Sequence, residues 1–232
     1  MNKLFILLAL ITLLGCKEIN MAEELTLQTE DGVKIYATFY DAKSDKAVIL
    51  LHRLGKDRAN SNDFASLLVE NGFSAIAIDL RGHGQSTEKY KLNSLTEKDF
   101  NNMVLDTKAA KKFLESQKIN SVAIIGESIG ANTALNYAST DQSIKTIVLL
   151  SPGLDYRGIK TENSISEYGE RPILIVSAED DSYSAESSRK LEMLAIGEKK
   201  LKIYEGSEHG TVLFDAEPAL KNLIIDWLKE KL

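Results

Sequence analysis

The chain has 232 residues, of which 44% are hydrophobic and 27% charged, with a formal net charge of -6. That composition is globular, suits one α/β domain with a sizeable core, and excludes a disordered chain. The acidic balance argues against nucleic acid or an anionic lipid face as the main partner.

Met1-Asn2-Lys3 precedes an apolar run from Leu4 to Leu14, and then Gly15-Cys16. One positive charge, eleven mostly apolar residues and a small residue before a cut make a secretory signal. The run is too short for a permanent span, which needs about 20 residues. Cys16 is the only cysteine, so the fold is held by its core and not by an intramolecular disulfide. The ending Leu13-Leu14-Gly15-Cys16 resembles a bacterial lipobox. That resemblance implies a lipidated Cys16 and a membrane-anchored lipoprotein of the cell envelope, with residues 1–20 as signal and tether and residues 21–232 as the folded domain. The alternatives are an ordinary signal, or translation from Met21 and a cytoplasmic protein.

From Leu25 the residues alternate. Leu25 and Leu27, then Val33, Ile35 and Ala37, keep a period of two around Asp31-Gly32, which predicts an antiparallel hairpin. Ala47–Leu51 is a continuous apolar run and reads as a strand buried on both faces. Residues 60–71 carry Phe64, Leu67 and Leu68 at helical spacing, with Gly72 as a stop. Residues 74–78 read as a strand. Residues 95–117 read as one long amphipathic helix, with Phe100, Met103, Val104, Ala110, Phe113 and Leu114 on one face. A strand over 122–125 and a helix over 129–138 follow. Strands over 146–150 and 173–177, a helix over 184–196, a strand over 201–204 and a helix over 217–232 complete the chain. This order predicts a mostly parallel sheet with helices on both faces.

Gly126-Glu127-Ser128-Ile129-Gly130 lies between the strand over 122–125 and the helix after it. G-x-S-x-G in that setting marks a nucleophile elbow, a strained strand-to-helix turn that exposes the serine hydroxyl. Gly126 and Gly130 let strand and helix approach closely. The alternative is a buried serine in a Gly-rich turn. The three histidines are far apart and no Cys/His cluster has metal-ligand spacing, so no metal or cofactor is expected.

The chain resembles the α/β-hydrolases from about Leu25 onward, in their single-domain esterase and serine-aminopeptidase-like branch. Four segments carry the resemblance: Leu50-Leu51-His52-Arg53-Leu54-Gly55, Ile78-Asp79-Leu80-Arg81-Gly82-His83-Gly84-Gln85-Ser86, the elbow, and Gly206-Ser207-Glu208-His209-Gly210. It implies a serine hydrolase with a nucleophile, acid and base in that chain order. Ser128 is the nucleophile and His209 the base, because His52 and His83 precede the serine. The acid falls after the strand over 173–177, at Asp181 or the adjacent Asp180. Ala178 at the glycine position of the related Gly-x-x-Asp motif points to Asp181.

The backbone N–H groups of Ile129 and Leu54 are the implied oxyanion donors. Arg53 stands where the family carries glycine. It would contact an anionic substrate group or, alternatively, pair with Glu127 or solvent. His52, Asp79, Arg81 and His83 read as loop scaffold. Only residues 151–171 are available for a cap, which is a minimal one, with a small flap around Leu154, Tyr156 and Ile159. An open site favours small soluble acyl esters or thioesters as substrates, with amide hydrolysis or a non-catalytic binding role as alternatives.

Overall fold

The computed structural model describes residues 22–232. The expectation of a signal and a lipidated Cys16 lies outside the described residues. Among the described residues, no helix is long and apolar enough to cross a membrane.

The chain opens with the hairpin β1 (Ala22–Gln28) and β2 (Lys34–Tyr40), paired antiparallel with Leu25 opposite Ala37 and Leu27 opposite Ile35. Then come β3 (Lys46–Leu51), α1 (Asn62–Glu70), β4 (Ser74–Ile78), α2 (Glu97–Asn101) and α3 (Met103–Ser116). Next are β5 (Ser121–Glu127), α4 (Ile129–Thr140) and β6 (Ile144–Leu150). A two-strand hairpin, β7 (Asp155–Tyr156) and β8 (Ile159–Lys160), precedes α5 (Glu162–Tyr168). The chain closes with β9 (Ile173–Ala178), α6 (Ser182–Leu194), β10 (Lys199–Tyr204), α7 (Leu213–Ala216) and α8 (Ala219–Lys231).

Eight strands form one sheet in the order β1-β2-β4-β3-β5-β6-β9-β10. β1 and β2 are the antiparallel end, and the six strands from β4 to β10 run parallel. Alternate side chains feed two cores, as the period of two requires. Ile49, Leu51, Val122 and Ile124 pack on the face covered by α3 and α4. Val48, Leu50, Ala123 and Ile125 pack on the face covered by Phe64 and Leu68 of α1 and by Ile224 and Trp227 of α8. Each fully buried Leu or Ile contributes roughly 1.5–3 kcal/mol.

The single helix expected over 95–117 is two helices. Thr96 caps α2: its hydroxyl accepts from the Asp99 N–H, and Asp99 Oδ2 accepts from the Thr96 N–H at 2.9 Å. The helix breaks at Asn102, whose ψ of -3° departs from helical geometry. Asparagine side chains compete for backbone partners. Asn101 Nδ2 donates both to Glu97 O at 2.9 Å and to Gly158 O at 3.1 Å, which turns α2 toward the β7–β8 hairpin.

The segment from Asp79 to Ser86 is scaffold. Arg81 is fully buried and donates to both Asp106 oxygens and both Asp31 oxygens. Burial pushes the Asp106 carboxyl up to about 6, against the pull of the Arg81 guanidinium. Asp79 accepts from Arg58 N at 2.8 Å, from Arg58 Nη1 at 2.5 Å and from Gln85 N at 2.8 Å.

Candidate active site

The parallel strands deliver the candidate residues to one edge of the sheet. β3 ends at Leu51, before His52-Arg53-Leu54; β5 ends at Glu127, before Ser128; β9 ends before Asp181; and β10 ends before His209. Ligands of open α/β sheets bind beyond these carboxyl ends, where crossovers diverge. Here β4 lies on one side of β3 and β5 on the other.

Ser128 sits at φ 56° and ψ -120°, a backbone state rare for a residue with a Cβ. Surrounding bonds hold it there: its N–H donates to Leu150 O at 2.9 Å, and its carbonyl accepts from Ala131 N and Asn132 N. The elbow also requires its two glycines. A Cβ on Gly126 would overlap the Gly130 carbonyl, and a Cβ on Gly130 would overlap the Leu51 carbonyl. Ser128 is 7% exposed, at the surface of the cleft and not deep in the core.

His209 Nδ1 lies 2.6 Å from Asp181 Oδ2. Asp181 is the N-cap of α6, yet its carboxylate turns away from the helix to meet the ring. Asp180 is exposed, and its N–H donates to Gly206 O at 2.8 Å. The histidine loop is pinned just beyond the imidazole. Gly210 N donates to Ser151 Oγ at 2.9 Å, and Thr211 N donates to Glu127 Oε2 at 2.8 Å.

Glu127 is the hub of this pinning. Its side chain is 2% exposed and accepts from Asn60 Nδ2 at 2.8 Å and from the Thr211 hydroxyl at 3.0 Å. Arg53 stands beside it, with Nε 3.8 Å from Glu127 Oε2. That is the Glu127-pairing alternative for Arg53. The Leu54 and Ile129 N–H groups donate to no other group among the described residues.

His52 is buried beneath this loop. Its Nδ1–H donates to Arg53 O at 2.8 Å and its Nε2 accepts from Leu80 N at 3.0 Å, so both ring nitrogens are used in the neutral form. Burial, then the nearby His83 ring, holds the His52 imidazole down at about 3. Neutral His52 fixes the Arg53 carbonyl, next to Leu54.

The chain after β6 makes a small flap, and it brings up a residue that sequence reasoning did not place in the site. The Tyr156 ring packs edge-on against His209, with centroids 6.3 Å apart, and against Tyr183 at 5.4 Å. Its Oη lies 2.9 Å from Ser184 Oγ. Burial pushes the phenol up to about 12, while its hydrogen bond with the Ser184 hydroxyl pulls the other way. Asp181 therefore meets His209 directly. Ser128 Oγ makes no hydrogen bond to the imidazole in this structure, and the Tyr156 ring packs edge-on against that imidazole. An aromatic residue inside the short cap was the available signal, but nothing in the sequence aims it at His209.

The flap is fixed. Asn132, buried in the first turns of α4, accepts from Gly153 N at 3.0 Å and donates to Ile159 O at 2.7 Å. Leu154 N donates to Ser187 Oγ at 3.1 Å, and Asp155 N to Tyr183 Oη at 2.8 Å.

Comparison with known proteins agrees with this architecture. Residues 42–167, more than half of the chain, match the family model described as serine aminopeptidase, S33. The matched stretch contains Ser128 and ends before Asp181 and His209. A serine hydrolase-like protein of Dictyostelium discoideum is 32% identical over 139 residues, 59% of this chain but only 36% of that protein's length. Among solved structures, the chain is similar to the esterase Pf2001 of Pyrococcus furiosus, with a TM-score of 0.76 and 21% identity over 90% of this chain and 92% of that one. It is also similar to Est1E from Butyrivibrio proteoclasticus, solved with ferulic acid, with a TM-score of 0.75 and 18% identity over 89% and 98% of the two chains. At these identities the structural likeness is one of fold. The eight-stranded, mostly parallel sheet, the serine elbow at its centre and the match across residues 42–167 together make the chain a member of the serine aminopeptidase S33 family of α/β-hydrolases.

Proposed function

We propose that the protein is a serine hydrolase that cleaves small carboxylic esters or thioesters through an acyl-enzyme. The observation that carries this reading is the 2.6 Å contact of Asp181 with His209 Nδ1. A carboxylate there keeps the proton on Nδ1 and leaves Nε2 basic. Catalytic contacts to the base tighten only when substrate is bound.

Ser128 Oγ attacks the carbonyl carbon and its proton passes to His209 Nε2. The carbonyl electron pair moves to oxygen, where the N–H groups of Leu54 and Ile129 stabilise it. The intermediate collapses, the bond to the alcohol or thiol breaks, and His209 protonates the leaving group. Water repeats the sequence and releases the acid. The short flap supports small substrates. Arg53 is read as a partner of Glu127, so Arg53→Gln should lose equal activity on neutral and carboxylate-bearing esters. The same reading anchors the enzyme at the cell envelope through a lipidated Cys16. An unmodified Cys16 in the mass spectrum of membrane-extracted protein would remove that part.

The test is a fluorophosphonate label followed by a panel of acyl esters, acyl thioesters and amino-acid amides. The expected result is an adduct on Ser128 and turnover of the first two classes. Turnover of the amides alone would make the enzyme a peptidase. Absence of any Ser128 adduct would make it a binding protein.

A further inference from the structure

Two consecutive residues at the end of β6 hold both reacting turns. Leu150 O accepts the Ser128 N–H at 2.9 Å, and Ser151 Oγ accepts the N–H of Gly210, the residue after His209, at 2.9 Å. Ser151 is fully buried and sits at φ 49°, a left-handed state that costs energy for a residue with a Cβ. Its own N–H donates to Val176 O of β9 at 2.7 Å, which fixes the turn. Gly210 is buried and packs so closely on Glu127 that a Cβ would overlap the carboxylate. The base loop is thus tied at three successive residues: the His209 ring on Asp181, the Gly210 N–H on Ser151 and the Thr211 N–H on Glu127.

We infer that Ser151 is a positioning residue for the base: its hydroxyl oxygen, presented by a strained backbone, fixes the main chain beside His209 relative to the Ser128 turn through the end of β6. This rests on the serine-hydrolase reading and deepens it. Without that oxygen the Gly210 N–H is left buried with no acceptor, and the loop shifts to find one. The imidazole moves with the loop, while Leu150 still holds the Ser128 turn. Proton transfer needs its heavy atoms within about 2.6–3.2 Å, so a small shift is felt in the rate. A glycine at position 151 would relax the backbone but has no side-chain oxygen to offer Gly210. Backbone comfort and placement of the base therefore conflict at this one position, and the residue present serves the second.

The test sets Ser151→Gly beside Ser151→Ala. Both remove the oxygen, and only glycine relieves the left-handed backbone. Ser151→Gly should therefore unfold at a higher denaturant midpoint than Ser151→Ala. The fall in kcat should nevertheless be the same in both, about 10-fold, with KM within about twofold of wild type. A merely structural role predicts activity that follows the midpoint instead. Asp181→Asn supplies a second readout. An imidazole in the wrong tautomer no longer works as the base, so Ser151→Gly should cost less than about twofold more in that background. A wild-type kcat in Ser151→Gly, a kcat that follows stability across the two variants, or full additivity with Asp181→Asn would overturn the role. Fluorophosphonate labelling of wild-type Ser128 separates the two failures. A labelled, active wild type with an indifferent Ser151→Gly sinks only this inference, and an unlabelled wild type sinks both.

Discussion

The carboxylate of Glu127 accepts both the backbone N–H and the hydroxyl of Thr211, at 2.8 and 3.0 Å. Glu127 directly precedes Ser128, and one residue, Gly210, separates Thr211 from His209. The pair therefore ties the nucleophile turn to the base loop across 84 positions of sequence. Glu127→Ala should leave the half-buried Thr211 and Asn60 donors without this acceptor and lower stability by about 1–2 kcal/mol. It should also lower kcat by roughly 100-fold, because the imidazole is no longer held in place. Glu127→Gln, which keeps an acceptor oxygen and the shape, should fall between. Denaturant midpoints and steady-state rates check this, and full activity in Glu127→Ala would refute it.

Asp181 and Asp180 are neighbours with opposite fates. Asp181 contacts His209, whereas Asp180 is exposed and uses its backbone to hold Gly206. Asp181→Asn should reduce kcat by about 10⁴, the effect of imposing the wrong imidazole tautomer. Asp180→Asn should stay within about threefold of wild type, since a backbone bond survives the exchange. Rates of the two purified variants on one ester decide the matter.

The flap should be rigid because of Asn132. Asn132→Ala strands Gly153 N and Ile159 O in a buried place and should cost about 2–3 kcal/mol. Arg157, exposed at the tip of the hairpin, then becomes a reporter. Native-state trypsin should cut after Arg157 faster in Asn132→Ala than in wild type. Equal rates would mean that the hairpin is held by its other anchors.

Acid should destabilise the fold through its buried imidazoles. His52 is held at about 3 against an ordinary value of 6.5, so between these values the unfolded chain binds a proton that the folded chain refuses. The stability is present above about pH 6.5 and is lost as pH falls toward 3, by up to about 1.4 kcal/mol per pH unit. His83 is shifted in the same direction by burial. Asp106, raised to about 6, acts oppositely: its contribution is present below about pH 4 and lost as pH rises through 6. Two histidines against one aspartate leave a net loss on acidification. His52→Gln should flatten the pH dependence of unfolding free energy between 4 and 6.5, and an unchanged slope would contradict the assignment.

Much of this was legible in the chain. The period of two over Leu25–Ala37 gave the β1–β2 hairpin, and the apolar runs at 47–51 and 122–125 gave central strands, because burial on one or both faces writes itself into residue type. The helix expected over 95–117 failed because periodicity spans a break: the apolar stripe continues from Phe100 to Leu114 while Asn101 and Asn102 redirect the backbone. Tyr156 and Glu127 were not legible for a different reason. Their roles depend on which loop tips meet at the sheet edge, and Tyr156 finds Ser184 28 positions away. Nothing in local composition encodes such a meeting.

Asp181, Tyr183 and Ser184 all leave the first turn of α6. The first orients the imidazole, and the other two clamp the flap through Asp155 and Tyr156. Acid and roof are thus one mechanical part. A bulky ligand that levered the roof upward would pull on the helix turn that carries the carboxylate, so widening the doorway and holding the imidazole in place work against each other. Under the proposed function, the outline of that doorway, more than its opening, would then sort one ligand from another.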